Sequence, residues 1–139
     1  MNFNRQTCIL FILACLLFIS CNKKTAKESV VGKWAYKEMI FLSGNPLYGM
    51  EEDQKKAAGA DGEGSTFKFN KDGTYIVTPG NEQEAPLTGT YSIQGEGNMM
   101  VKNERHPSGQ LAKISFSGKD TLKIEDKENN IIVVLERLE

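Results

Sequence analysis

The residues able to do chemistry are few in this chain and poorly spaced for catalysis. His106 is the single histidine, it stands between Arg105 and Pro107 in a stretch of turn formers, and no cysteine follows residue 21 to partner it. That leaves neither a zinc ligand set nor a Cys/His nucleophile couple, and the chain contains no GxSxG or HExxH stretch. Glu51 and Glu52 are adjacent carboxylates in a loop, without a framework to hold the separation that acid/base hydrolysis requires. Asn70, Asp72 and Gly73 are a fragment of a calcium loop, as are Asp61 and Glu63, but both lack the spaced carboxylates and closing glutamate and read as turns. No catalytic residue, metal or cofactor is expected, His106 is expected in solvent, and the chain reads as a non-enzyme.

Binding chemistry is better represented. Tyr36, Phe67, Phe69, Tyr75, Tyr91 and Phe116 fall, with Trp34, on positions that would share one face of successive strands. A buried ring covers about 150 to 250 Å², so seven of them fill much of a small interior. Two outcomes stay open: a solid apolar core, or a packed lower half with a modest cavity near the mouth, where tyrosine hydroxyls would anchor a mostly apolar guest.

The elements that must position these rings follow from periodicity. With 139 residues, 40% hydrophobic and 25% charged, the chain fits one globular domain, and its 17 basic and 18 acidic residues nearly cancel. No long basic stretch tracks phosphates, so nucleic acid is not an expected partner. From Val30 onward apolar residues recur at every second position, from Trp34 and Tyr36 through Ile114 and Phe116 to Ile131, Val133 and Leu135, which gives eight strands. Short connectors such as "NKDG" at 70 to 73, "GEGN" at 95 to 98 and "SGKD" at 117 to 120 join antiparallel neighbours as hairpins. Closure of such a meander removes unpaired edges. The expected fold is therefore all-β, an eight-stranded antiparallel up-and-down barrel, and Greek-key links in a sandwich are disfavoured by the short hairpins. One insertion, residues 40 to 64 between strands 1 and 2, carries "MEEDQKKAAGA", whose acidic start and later lysines predict a short helix that would either act as a lid or merely cover one barrel opening. The last strand, "NIIVVLERL", is apolar on both faces, and its outward set would pack under that insertion or face a partner.

"GKW" at 32 to 34, opening the first strand, resembles the GxW signature of lipocalins and their small bacterial relatives, and "FKFNKDGTY" at 67 to 75 with "TGTYSI" at 88 to 93 is similar to the middle strands of bacterial lipocalin-like lipoprotein domains. The resemblance covers roughly residues 30 to 139. It implies that Trp34, following Gly32, plugs the closed end of the barrel and that an arginine near the last strand, here Arg137, lies against its ring.

The N-terminus has its own pattern. Arg5 precedes the apolar run "CILFILACLLFIS" at 8 to 20, which is short for a membrane span and reads as a secretion signal. Its end, Ser20 before Cys21, resembles a bacterial lipoprotein signal, although Phe18 replaces the usual leucine, and the resemblance implies that Cys21 is lipidated. Cys15 is the poorer choice because cleavage there would leave "LLFIS" on the mature chain. The organisation is then a signal peptide at 1 to 20, a lipidated N-terminus and flexible tether at 21 to 29, and the barrel at 30 to 139. Without a cysteine beyond Cys21 no disulfide staples the domain.

These readings lead to a lipid-anchored envelope protein, on the periplasmic side of the outer membrane, that binds a small apolar or amphipathic ligand. The alternatives are a filled barrel docking onto another envelope protein and, further off, an inhibitor of secreted hydrolases that uses the insertion or the loops at 79 to 87 and 104 to 110.

Overall fold

Alternation in the sequence becomes alternation of burial. Along Gln110–Ser117, residues Gln110, Ala112, Ile114 and Phe116 turn inward, while Leu111, Lys113, Ser115 and Ser117 face solvent. Leu87–Gln94 repeats the pattern, with Leu87, Gly89, Tyr91 and Ile93 inside and Thr88, Thr90, Ser92 and Gln94 outside. Half-buried antiparallel strands have this signature. The structure is a computed structural model that describes residues 25–58, 62–95 and 97–138. The expected signal peptide at 1 to 20, Cys21 and residues 22 to 24 of the expected tether lie outside these residues.

Eight strands occur: β1 (Gly32–Phe41), β2 (Thr66–Phe69), β3 (Thr74–Thr78), β4 (Leu87–Gln94), β5 (Asn98–Asn103), β6 (Gln110–Ser117), β7 (Thr121–Asp126) and β8 (Ile131–Arg137). Each pairs antiparallel with the next and β8 returns to β1, so the sheet closes as an up-and-down barrel. The turns follow local chemistry. Between β2 and β3, Asp72 Oδ1 accepts from the Thr74 amide at 2.9 Å and the Thr74 hydroxyl at 2.6 Å. Gly73 supplies the left-handed backbone there, at φ +88°. These contacts make the Asn70–Gly73 stretch a turn, as expected.

Closure depends on β1, the longest strand. It pairs with β2 only through Gly32–Ala35 but follows β8 as far as Phe41, with a register shift between Tyr36 and Glu38. Such a bulge raises the local twist and lets one strand leave a neighbour while keeping the other. The insertion therefore starts after Phe41, two residues later than the sequence implied. It contains one short helix, α2 (Glu52–Ala57), and is tied to the β7–β8 turn by Asn45 Nδ2 donating to Asn129 O at 2.7 Å. Lys55 Nζ sits 5.6 Å from the centroid of the Phe41 ring, which places the helix beside β1.

Part of the segment expected to be a flexible tether is helical. Ala26–Val30 forms a helix, α1, with a capping box in which Thr25 Oγ1 accepts from the Glu28 amide and the Glu28 carboxylate accepts from the Thr25 amide. This turn ends in Val30, which is fully buried. The folded domain thus begins with α1, before Val30.

Candidate functional site

One end of the barrel is sealed. Trp34 has no exposed surface and its Nε1 donates to Val30 O at 2.9 Å, so α1 and β1 close the end together. Phe116 lies 6.5 Å from the indole between ring centroids, and Leu122 and Leu135 are fully buried in the same cluster. Arg137 stacks on the other side, its Cζ 4.1 Å from the Trp34 ring centroid. Its guanidinium also donates to Ser29 O at 2.6 Å, Val31 O at 3.1 Å and Lys119 O at 3.0 Å. One side chain thereby joins the last strand to the N-terminal helix and to the β6–β7 turn. Gly32 opens β1, and Trp34 and Arg137 meet at this end of the barrel.

A second layer of rings stands above the plug. Phe69 meets Tyr91 edge-on at 5.2 Å and Tyr75 at 6.0 Å. The Tyr91 hydroxyl points toward the sealed end and donates to Asn70 O at 2.7 Å. Burial pushes the Tyr91 phenol above its ordinary pKa, with the Asp72 charge adding to the effect. Tyr75 takes the opposite direction. Its hydroxyl accepts from Asn103 Nδ2 at 2.8 Å, across Gly89, where a Cβ would stand 2.7 Å from the Tyr75 ring and 2.2 Å from Lys102 O. Gly89 is the gap that lets Tyr75 lie against the wall.

Above this layer the interior is open. A chamber of about 210 Å³ extends to the far end of the barrel, with Phe67, Phe69, Val77, Val101, Ile124 and Val133 among its walls. Its polar fittings are Tyr75, Gln110 and Asp126. Gln110 Nε2 donates to Asp126 Oδ2 at 2.7 Å, while Asp126 Oδ1 accepts from the amides of Glu128 and Asn129, which anchors the carboxylate in the β7–β8 turn.

The six rings expected to hold a ligand therefore divide. Phe67, Phe69 and Tyr75 line the chamber. Tyr91 and Phe116 belong to the sealed end. Tyr36 is half-buried at the margin, where a Cβ on Gly62 would lie 2.6 Å from its ring, and it borders a different hollow. That hollow is a polar cleft of about 570 Å³ between β1 and α2, and its charged walls include the ion pairs Lys37–Glu136 and Lys56–Glu63. It is larger than the chamber but offers a ligand little apolar surface. No residue of α2 is among the described residues that line the chamber. Gln110 and Asp126 escaped the sequence reading because both were assigned to loops. Extending the inward parity of Ala112 and Ile114, and of Leu122 and Ile124, by one step reaches them.

His106 is exposed and its amide donates to Asn103 Oδ1 in the β5–β6 turn. Glu51 and Glu52 start α2, where Gln54 Oε1 accepts from the Glu51 amide and Lys55 pairs with Glu52. No family model, curated protein or solved structure matches this chain.

Proposed function

We propose that this protein is a lipocalin-like carrier, lipid-anchored through Cys21 on the periplasmic side of the outer membrane, that holds a small apolar or amphipathic molecule and performs no chemistry on it. The apolar chamber of about 210 Å³, opening at the end away from Trp34, carries this reading. Liquid water occupies about 30 Å³ per molecule, so the space is worth about seven waters and exceeds an ordinary packing defect. A guest of about that many heavy atoms, or the tail of a longer one, fits. The GxW opening at Gly32–Trp34 and the stacked Arg137 support the lipocalin-like assignment.

Native mass spectrometry of the protein purified gently from a Gram-negative host tests the reading. A retained small mass is expected from the wild type and none from Ala112→Phe, which fills the chamber. A bare mass for both, with no uptake of octanol from solution, would remove the carrier role.

Docking onto another envelope protein is the second reading. Tyr48 and Met50, 59% and 40% exposed on the insertion, favour it. Loss of a specific cross-linked adduct in cells on changing both to serine, with ligand uptake intact, would support that role.

A further inference from the structure

We propose that the chamber selects amphiphiles with a cationic head, such as a protonated alkylamine, over those with a carboxylate head. This rests on the carrier reading above and specifies the ligand class for the same site.

The first reason is the wall itself. Among the described residues lining the chamber, Asp126 is the single charged one. Gln110 Nε2 spends one of its two amide hydrogens on Asp126, and its side chain offers an acceptor as well as a donor, so it serves either kind of head and the carboxylate decides the charge preference. Asn129 Nδ2 donates to Asp126 Oδ2 as well, and together these donors hold the carboxylate in place. A ligand carboxylate brought to this rim would face a fixed like charge, whereas an ammonium would meet a carboxylate of opposite charge. Tyr75 adds a hydroxyl that serves either kind of head and does not discriminate.

The second reason is the field around the mouth. The loops at this end follow β1, β3, β5 and β7. Counting described residues only, these loops and Asp126 hold nine carboxylates against four lysine or arginine side chains. Two of the four, Lys55 and Lys56, are engaged by Glu52 and Glu63, which leaves Arg105 and Lys127 as the other cations of these loops. An opening with that balance attracts cations and repels anions before contact.

The chamber's size sets the tail at about seven or eight carbons. Octylamine, octanol and octanoate then share a tail and differ in head. Methyl NMR shifts of Ile124 and Val133 in the purified protein report occupancy of the chamber during titration at pH 7, below micelle-forming concentrations. Octylamine is expected to bind at least tenfold more tightly than octanoate at low salt, with octanol between them, and the gap should narrow in 0.5 M NaCl. Asp126→Asn should reduce the ratio severalfold. Gln110→Lys, which sets a positive charge beside Asp126 and leaves the bonds from Glu128 and Asn129 to its carboxylate in place, should reduce it too and guards against a folding defect in the first variant. Equal binding of all three, or tighter binding of octanoate, would overturn the head-group preference and leave the carrier standing. Methyl shifts unmoved by any of the three would overturn both.

Discussion

Arg137 illustrates how one side chain can do several structural jobs. It lies 4.1 Å from the Trp34 ring centroid and donates to the backbone carbonyls of Ser29, Val31 and Lys119. A cation over an indole is worth about 0.5 to 2 kcal/mol, and each hydrogen bond from a charged donor about 1.5 to 3. Arg137→Lys keeps the charge near the ring but has no planar fork to reach separate carbonyls, so we expect a loss of about 1 to 3 kcal/mol in urea unfolding. Trp34 emission should shift to longer wavelength as α1 loosens. An unchanged midpoint would mean that the carbonyl bonds contribute nothing net. Tyr91 gives a pH-dependent case. Its folded-state pKa is raised by burial, so the folded chain holds the phenolic proton more tightly than the unfolded chain. The resulting stabilisation is complete below the unfolded value of about 10 and is lost as pH rises through the folded value. Tyr91→Phe should cost about 1 kcal/mol at pH 7 through the missing bond to Asn70 O, and the two proteins should converge at alkaline pH. Urea midpoints measured from pH 7 to 11 check this. The Trp34–Arg137 partnership could be read from the chain because both residues sit in motifs at its ends. The direction of each tyrosine hydroxyl could not, since parity states only that a ring points inward.

At the scale of elements, all eight strands were visible in the period-two spacing of their inward residues, most clearly in β4 and β6, which bury one face and solvate the other. What escaped were departures from regularity. The bulge between Tyr36 and Glu38 leaves no compositional mark, since "YKE" could continue a regular strand. Helix α1 escaped because "AKESV" is too short for a helical period, although Thr25 followed by Glu28 is a capping box in plain sequence. That helix is marginal by itself and is held by the bond from Trp34 to Val30 O and by Arg137. Thr25→Ala should accordingly cost about 0.5 to 2 kcal/mol. The loss should be local: amide exchange at residues 27 to 31 should speed up while the β6 and β7 amides keep their protection. Uniform acceleration across the barrel would show instead that α1 unfolds only together with the strands. The outward apolar set of β8 has a partial explanation at this scale. Val134 is buried at 3% and pairs with Glu38 and Lys123, whereas Ile40, opposite Ile132, is 37% exposed.

For the whole molecule, the position of the N-terminus decides which way the barrel faces. Helix α1 lies at the sealed end, and Cys21 precedes Ala26 by five residues, a span of about 17 Å at most. A lipid on Cys21 would keep the sealed end close to the bilayer. The mouth, at the other end of strands that rise about 3.3 Å per residue, would then point away from it. The charge distribution agrees with this orientation. Lys23, Lys24 and Lys27 follow Cys21 closely in sequence, where anionic head groups would attract them, and the carboxylate-rich loops would be carried to the far end. A carrier held this way would exchange its ligand with the aqueous space or an opposed surface, and not with the leaflet that anchors it. The chain has no cysteine beyond Cys21, so in a protein cleaved and lipidated there Lys71→Cys in the β2–β3 turn and Ser108→Cys in the β5–β6 turn would each introduce a unique labelling site at opposite ends. With the lipidated protein on vesicles and acceptor dyes in the head groups, energy transfer should be clearly stronger from position 71 than from position 108. Equal transfer would mean that the barrel lies on its side. Stronger transfer from 108 would put the mouth against the membrane, and the ligand would then be drawn from the bilayer itself.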